Sequence, residues 1–247
     1  MSREVRVAVF RPDDDRLARA VELLDSLGAT PVPDPMLAVE PTGAVPDPAP
    51  YVVLTSKTGA ELLAESGWSP GDATLVCIGP TTAAAARAAG WTVDLVPEEY
   101  SSAGLVALLE GAVAGETVAV ARSDHGSDVL LDGLREAGAT VDETVLYRLT
   151  LPEGAGRSTE MAARGELGGV CFTSSLTVEN FLEAAADRGV REEAVTGLND
   201  VVVGVIGDPT RETAVAHGLD VDVVPDRADF EELACRVVEA AAPTYHE

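Results

Sequence analysis

The chain has 247 residues, of which 42 are acidic and 17 basic, giving a formal net charge of −25. Hydrophobic residues make up 46% of it, enough to bury a sizeable core, so a disordered chain is excluded. Nucleic-acid binding needs a basic surface that displaces counterions, and this composition argues against it. Lys57 is the only lysine, and so much acid with so little lysine indicates a surface adapted to high salt.

Cysteine and histidine give no sign of a metal site or a disulfide framework. Cys77, Cys171 and Cys235 are widely spaced, with no CxxC pair, and the first two lie in apolar strand-like runs that predict core positions. The three histidines, at 125, 217 and 246, show no metal-ligand spacing and suggest no Ser/His/Asp arrangement. No apolar run reaches 18 residues and no signal peptide is visible, so we expect a cytoplasmic protein without a membrane segment.

Short β-branched runs alternate along the chain with stretches of helical period. Amphipathic stretches such as 16–27 and 179–187 follow the polar turns after most of these runs. Strands that alternate with helices form parallel sheets with helices on both faces, so the predicted fold class is α/β. The strands are predicted at 5–10, 51–55, 74–78, 117–121, 169–173 and 201–206.

Three blocks of sequence recur in the same order in the two halves of the chain. Because the repeat is much longer than a solenoid unit, it predicts two related α/β lobes. The matched pairs are Val7–Pro12 with Val118–Ser123, Val53–Ser56 with Cys171–Ser174, and Val76–Thr82 with Gly204–Thr210.

Two segments break the repeat and are interpreted as linkers. The proline-dense run that starts at Pro31–Pro35 is extended by nature, and Val145–Pro152 is β-rich but leads into no helix. If both bridge the lobes, the chain crosses out near 35 and back near 148. The expected lobes are then 1–36 with 150–247, and 41–146, joined by linkers at about 33–41 and 145–152.

Four turns at the carboxyl ends of predicted strands carry hydroxyls or the motif Ile-Gly. Hydroxyls there can cap a helix, which is a purely structural role, or can join open backbone N–H groups in binding carboxylate or phosphate. In the Ile-Gly turns, glycine permits a tight turn, proline suits the first helical position and threonine can cap. Two such turns per half favour a ligand cleft between the lobes. Their residues are Thr55, Ser56, Gly79, Pro80 and Thr82 in one half, and Thr173, Ser174, Ser175, Gly207 and Thr210 in the other.

Charged residues at the strand ends are further candidates for binding. Arg11 and Arg122, the latter followed by Ser123, hold matching positions where arginine could clamp a carboxylate. The alternative is ion pairing, with Asp13–Asp15 for Arg11 or Asp124 for Arg122. Lys57 follows a strand-end Thr-Ser pair and is a weaker candidate. The run Asp13–Asp15 is interpreted as an acidic helix start rather than a metal site.

Motifs for nucleotide binding are missing from the sequence. Neither GxGxxG nor GxxxxGK[ST] occurs, so dinucleotide and nucleoside triphosphate sites have no support. Tyr147, in the second expected linker, could face a ligand or could simply pack. The residues alone also leave open a non-catalytic two-lobed receptor for a small carboxylate ligand and, less favoured, a flavodoxin-like redox or signalling domain.

Several segments, taken in order, resemble the uroporphyrinogen-III synthase family over about residues 5–240. In the first copy they are Thr55-Ser56, IGPTTAAA from Ile78, GWTVDLVPEEYSSAGL from Gly90 and Leu146-Tyr147-Arg148. The resemblance implies two flavodoxin-like lobes joined by a two-stranded linker. It also implies a monomeric, cofactor-free enzyme that cyclises hydroxymethylbilane, received from the preceding pathway enzyme, to uroporphyrinogen III with inversion of the terminal ring.

The same resemblance implies roles for individual residues. Tyr147 matches the family's tyrosine that is proposed to help the hydroxyl leave, a general-acid role. Ser56, Thr82 and Thr210, with Ser174 or Ser175, match turns whose backbone amides hold the substrate's carboxylates. Asp208, in the second Ile-Gly turn, departs from the family pattern. A carboxylate at this position would repel an acidic substrate.

Overall fold

The computed structural model describes residues 5–242, so residues 1–4 and 243–247, which include His246 and both ends of the expected first lobe, lie outside the described residues. The strands are β1 (Arg6–Val9), β2 (Thr30–Pro33), β3 (Ala38–Pro41), β4 (Tyr51–Leu54), β5 (Thr74–Cys77), β6 (Thr117–Ser123), β7 (Thr140–Thr150), β8 (Gly169–Phe172) and β9 (Val202–Val205). The helices are α1 (Asp15–Ser26), α2 (Lys57–Glu65), α3 (Pro80–Ala88), α4 (Ser102–Leu109), α5 (Asp128–Glu136), α6 (Arg157–Ala163), α7 (Ser175–Asp187), α8 (Arg191–Asn199), α9 (Asp208–Ala216) and α10 (Phe230–Ala241).

The α/β prediction is confirmed, and each of the six predicted strands overlaps an observed one. The chain divides into two compact units, unit 1 with residues up to Ala38 and from Thr150 onwards, and unit 2 with Val39–Leu149. The interpretation of Asp13–Asp15 as a helix start is also confirmed. Asp14 caps α1 by accepting the N–H of Arg16, and Asp15 lies in the first turn, where it stabilises the positive end of the helix.

Unit 1 contains a sheet with strand order β2-β1-β8-β9, and its paired strands are parallel. Side chains alternate across the sheet, as the period of two in a strand requires. Val7 and Val9 pack with α1 and α10 on one face, whereas Ala8 and Phe10 join the cluster on the other face. Both faces of β1 are therefore buried, which explains its continuous apolar sequence.

Strand β2 corrects the expected linker, because Pro31 and Pro33 belong to this edge strand of unit 1. The N–H groups of Thr30 and Asp34 donate to carbonyls of Val5 and Val9, on the β1 side. Proline occupies the alternate positions, whose nitrogens face away from β1, so the missing donors cost no ladder bond. A proline-dense run was thus compatible with a strand at the edge of a sheet.

Unit 2 contains a sheet with strand order β3-β7-β6-β4-β5. Strand β6 pairs in parallel with β4 and β7, and β4 pairs in parallel with β5. The four consecutive strands β7-β6-β4-β5 of this sheet correspond in order to β2-β1-β8-β9 of unit 1. The sequence repeat is therefore also a repeat of structure. The run interpreted as the return linker lies mostly inside β7, which is 11 residues long.

The prediction that Cys77 and Cys171 are core residues is confirmed. Cys77 and Cys171 are free, buried thiols in the strands of units 2 and 1, respectively. Burial raises the pKa of Cys77 to about 11 and that of Cys171 to about 12. Among residues 5–242, no helix is both long and apolar enough to cross a membrane.

Candidate functional site in unit 2

The carboxyl ends of β4 and β6 form the switch point of the unit 2 sheet. From β6 the chain continues to β7 on one side, and from β4 it continues to β5 on the other, so the loops diverge and leave a crevice. A cavity of about 230 Å³ lies there, and we call it the unit 2 cavity. Its lining residues are Thr55, Ser56, Ile78, Ser102, Arg122, Ser123, His125, Gly126, Ser127, Leu130 and Tyr147.

Ser56 enters the unit 2 cavity as the N-cap of α2. Its backbone is extended, and its Oγ accepts the N–H of Gly59 at 2.9 Å, which satisfies one of the free donors of the first helical turn. The capping role expected for this hydroxyl is therefore present. The neighbouring Thr55 also lines the cavity, and its side chain and backbone N–H are directed to the carbonyl of Ala121.

Tyr147 reaches the same cavity because of a bulge between β6 and β7. Arg122 is opposite Val145 but Ser123 is opposite Tyr147, so Leu146 is the extra residue in β7. Successive side chains of a regular strand point to opposite faces, but here Leu146 and Tyr147 both pack into the cluster beneath α2 and α3. The bulge therefore turns the phenol towards the helix start that Ser56 caps.

The two hydroxyls form a hydrogen-bonded pair, with Tyr147 Oη 3.0 Å from Ser56 Oγ. The Tyr147 side chain is otherwise enclosed, and the residue is only 7% exposed. Ser56 Oγ already accepts the Gly59 N–H, and each hydroxyl can both donate and accept. One proton can therefore lie between the two oxygens while the other remains available to a bound molecule.

Arg122 has a different environment from the one expected. Its side chain is almost fully buried, and its three nitrogens donate to Glu143 Oε1 at 2.6 Å, the Ser127 carbonyl at 2.8 Å and Asp128 Oδ1 at 3.3 Å. The ion pair foreseen with Asp124 is wrong, since the carboxylates it contacts are Glu143 and Asp128. These contacts favour a role in fixing the loop after β6 over an open clamp for a ligand.

That loop contains an aspartate–histidine pair that sequence reasoning missed. His125 Nδ1 lies 2.9 Å from Asp124 Oδ1, and the same oxygen accepts the N–H of Leu149 at 3.0 Å. Partial burial raises the pKa of Asp124, but the hydrogen bonds from His125 and Leu149 outweigh it and the net pKa is lowered. A lone histidine without metal-ligand spacing gave no signal; its position two residues after the strand-end residue Ser123 was the available hint.

The first Ile-Gly turn lies at the end of β5. Gly79 is the N-cap of α3 and Pro80 its first residue, as expected, whereas no side chain caps this helix among the described residues. Thr82 is buried inside α3, so its predicted capping role is wrong. Gly79 is extended with φ −169°, a conformation open to any residue, so a tight turn does not explain the glycine. Lys57, next to Ser56, pairs instead with Glu61 at 3.2 Å on the surface of α2.

Unit 1 carries the matching turns. Thr173 follows β8, and Ser174 caps α7 in a reciprocal capping box with Thr177. Ser175 Oγ donates to the carbonyl of Pro209 at 3.1 Å, which joins this turn to the second Ile-Gly turn. In that second turn Gly207 is the N-cap of α9, with φ 178°. Asp208 is exposed at the first helical position, and its Oδ1 lies 3.7 Å from Arg211 Nη1. Thr210 is buried without a capping bond.

Arg11 follows β1 in unit 1, at the position that matches Arg122. Its guanidinium carbon lies 4.3 Å from the centre of the Phe230 ring, a cation–π contact, and its Nε is buried without a hydrogen-bond partner among the described residues. Burial, with a smaller effect from Arg16, lowers the pKa of Arg11. The foreseen ion pair with the acidic run is not the arrangement found, because Asp14 binds Arg16 and Asp15 pairs with Arg19.

The unit 2 cavity differs in charge from the chain as a whole. Among the described residues that line it there is no Asp or Glu, while one arginine and one histidine are present. Asp124 stands just behind His125 and does not line the cavity. Although the formal net charge of the chain is −25, no described residue that lines the unit 2 cavity carries a carboxylate.

Two doubly wound α/β units with hydroxyl-rich turns at the carboxyl ends of their strands define the class, a repeated α/β protein. The family model described as uroporphyrinogen-III synthase HemD matches residues 18–235. The "Putative uroporphyrinogen-III synthase" of Methanothermobacter thermautotrophicus is 34% identical over 90% of this chain and 92% of that protein. The chain therefore belongs to the uroporphyrinogen-III synthase family, an enzyme family of porphyrin biosynthesis.

More distant relatives agree with this assignment. The uroporphyrinogen-III synthase of Chlorobaculum parvum is 26% identical over 66% of this chain and 65% of its own length. A crystal structure of mutant uroporphyrinogen III synthase from the extremely thermophilic bacterium Thermus thermophilus superposes with a TM-score of 0.69, covering 96% of this chain and 98% of that one at 24% identity. This likeness confirms the fold expected from the resemblance.

Proposed function

We propose that this protein cyclises hydroxymethylbilane to uroporphyrinogen III as a cofactor-free hydro-lyase, with loss of water and inversion of the terminal ring. The observation that carries the proposal is the hydrogen-bonded pair of Tyr147 and Ser56 in the unit 2 cavity. A phenol held at a helix N-terminus is placed to give a proton to a leaving hydroxyl, and the helix dipole favours the negative charge that remains.

In this proposal Tyr147 is the general acid and Ser56 supports it. In the structure Tyr147 donates to Ser56 Oγ, and we propose that this bond reverses when substrate binds. With Ser56 donating to Tyr147 Oη, the phenolic proton is directed to the substrate and the phenolate formed afterwards stays hydrogen-bonded. General acid catalysis of this kind contributes about 10²–10⁴-fold. Folding the linear substrate so that the inverted closure is faster than the uninverted one would supply much of the rest through proximity.

The strand-end turns of each unit are proposed to bind the substrate's carboxylates. N-termini without side-chain caps, at α3 and α9, leave N–H groups free for an anion, and Gly207 has only open space where a side chain would project. The proposed contacts comprise Thr55, Ser56, Lys57, Gly79, Pro80, Thr82, Arg122 and Ser123 in unit 2, and Arg11, Thr173, Ser174, Ser175, Gly207 and Thr210 in unit 1. Arg122 and Lys57 are the weakest of these because their side chains are engaged elsewhere.

The composition supports a salt-rich environment for this reaction. With 42 acidic residues and one lysine, the surface suits concentrated salt, where counterions screen the repulsion between carboxylates. We propose a monomer that works in the cytoplasm and receives its unstable substrate from the preceding enzyme of the pathway.

The test is product analysis. The protein is supplied with hydroxymethylbilane in molar salt, and the uroporphyrinogen isomers are resolved after oxidation. We expect isomer III in excess over the spontaneous reaction measured without protein. Formation of isomer I alone, at the uncatalysed rate, would contradict the proposal and would instead fit a binding protein without this activity.

A further inference from the structure

The loop after β6 presents His125 to the unit 2 cavity in a fixed orientation. Asp124 anchors the loop to β7 at two places, since its N–H donates to the Tyr147 carbonyl at 3.2 Å and its Oδ1 accepts the Leu149 N–H at 3.0 Å. The same carboxylate holds His125 Nδ1 at 2.9 Å. The imidazole is therefore attached, through one aspartate, to the backbone of Tyr147 and of Leu149, two residues further along β7.

The aspartate also decides which ring nitrogen is free. A carboxylate accepts hydrogen bonds, so Nδ1 carries a hydrogen and Nε2 of the neutral ring keeps its lone pair. The other charged or titratable groups at the cavity are Tyr147, which is hydrogen-bonded to Ser56, and Arg122, whose charge is matched by Glu143 and Asp128. An imidazole oriented by a carboxylate, in the same cavity as a phenol, is an arrangement suited to proton transfer in both directions.

We infer that His125 is a second catalytic residue, a general base that complements Tyr147, and that Asp124 positions it. The inference rests on the proposed function. Loss of the hydroxyl breaks a C–O bond, and the departing oxygen takes one proton from Tyr147 to leave as water. After ring closure a pyrrole must lose one proton to recover its aromaticity, and His125 Nε2 accepts it. Return of that proton from the imidazolium to the phenolate restores both residues, so the net change is loss of one water.

The first test compares His125→Gln with His217→Gln. His217, the C-cap of α9 in unit 1, serves as a matched control for the same substitution, and its kcat should equal that of the wild type. For His125→Gln we expect kcat to fall about 10²-fold, the low end for a lost general base, with KM within about twofold of the wild type.

A second variant tests the positioning role of Asp124. Asp124→Asn can still accept the Leu149 N–H, but it no longer enforces the Nδ1–H tautomer, so we expect kcat to fall about tenfold. KM should stay within about twofold of the wild type, and circular dichroism and the melting temperature should be unchanged, so a loss confined to kcat separates positioning from a structural role.

Three results would overturn the inference. One is a kcat of His125→Gln within twofold of the wild type, and another is a kcat of His217→Gln reduced as far as that of His125→Gln. The third is a raised KM at constant kcat, which would make His125 a carboxylate-binding residue. Because the wild type is assayed for isomer III alongside, a failure of His125 alone is distinguishable from failure of the proposed function, in which the wild type itself yields only isomer I.

Discussion

Ser56 in unit 2 and Ser174 in unit 1 hold the same place in the repeat, and each caps the helix that follows its strand. They differ in what else they bind. Ser174 forms a capping box with Thr177, a closed arrangement within its own helix start. Ser56 instead binds Tyr147, a residue 91 positions away on β7, which β6 separates from β4 in the sheet. The same motif is therefore purely local in one unit and part of a longer-range site in the other.

The difference depends on the third residue of each helix. In α7 this residue is Thr177, whose hydroxyl completes the box, whereas in α2 it is Gly59, which has no side chain to offer. A Cβ at Gly59 would lie 3.0 Å from Leu146 Cδ1 and 3.0 Å from Ser56 Oγ. Glycine thus leaves room for the bulged strand to approach and leaves the serine open to the phenol. The third helical residue, Thr177 in α7 and Gly59 in α2, therefore distinguishes a structural cap from a candidate catalytic contact.

Among the variants that test this comparison, the largest effect should come from Tyr147→Phe, which removes the hydroxyl that binds Ser56. We expect turnover to fall at least roughly tenfold, because the proposed proton donor is lost while the ring still fills its space. Turnover of hydroxymethylbilane and the melting temperature are measured together, and Tyr51→Phe at the start of β4 is the matched control. Wild-type turnover in Tyr147→Phe would reduce the contact with Ser56 to packing.

A smaller effect is expected from Gly59→Thr, which gives unit 2 the residue found in unit 1. The new side chain would compete for Ser56 and press on Leu146, so the Tyr147 hydrogen bond should weaken by about 1 kcal/mol, which is roughly fivefold in turnover. The reciprocal change, Thr177→Gly, should lower the free energy of unfolding by about 1 kcal/mol and leave turnover unchanged. If both variants behaved alike, the two serines would not differ in function.

The smallest effect concerns the two buried thiols, which report on the units separately. At neutral pH a thiol reagent should label Cys235 in the native protein, and Cys77 and Cys171 only in urea. Both buried pKa values are raised, to about 11 and about 12, so each thiol contributes stability below its unfolded pKa. That stability should be lost as the pH rises from about 9 through these values. Rapid labelling of Cys171 before Cys77 would show that unit 1, not unit 2, opens first.

The sequence was sufficient for the parts of the fold that have local or repeated signals. Six β-branched runs were predicted as strands because each is apolar on both faces. Prolines concealed β2, since an alternating edge strand tolerates residues that would break a central one. The bulge at Leu146 could not be predicted from the sequence, because it arises from the pairing of β6 with β7 rather than from either strand alone.

The candidate site was only partly predictable for a similar reason. Ser56 was visible because N-capping is a local property of a strand-to-helix turn. Glu143, which pairs with Arg122, lies across the sheet in β7, so proximity in sequence pointed to the wrong carboxylate. His125 required knowledge of which strands are neighbours, since its orientation comes from Asp124 and Leu149 together.

The strand order of unit 1 also determines when that unit can be completed during synthesis. Strand β1 lies between β2 and β8, and β8 starts at Gly169, 160 residues after β1 ends at Val9. At about 5–20 residues per second, roughly 8–30 s pass between the two on the ribosome. Unit 2 is continuous and can fold in that interval, while Ala8 and Phe10, buried in the finished protein, remain uncovered. The segment that carries β1 therefore stays without β8, with apolar side chains uncovered, until well over half of the chain has been made.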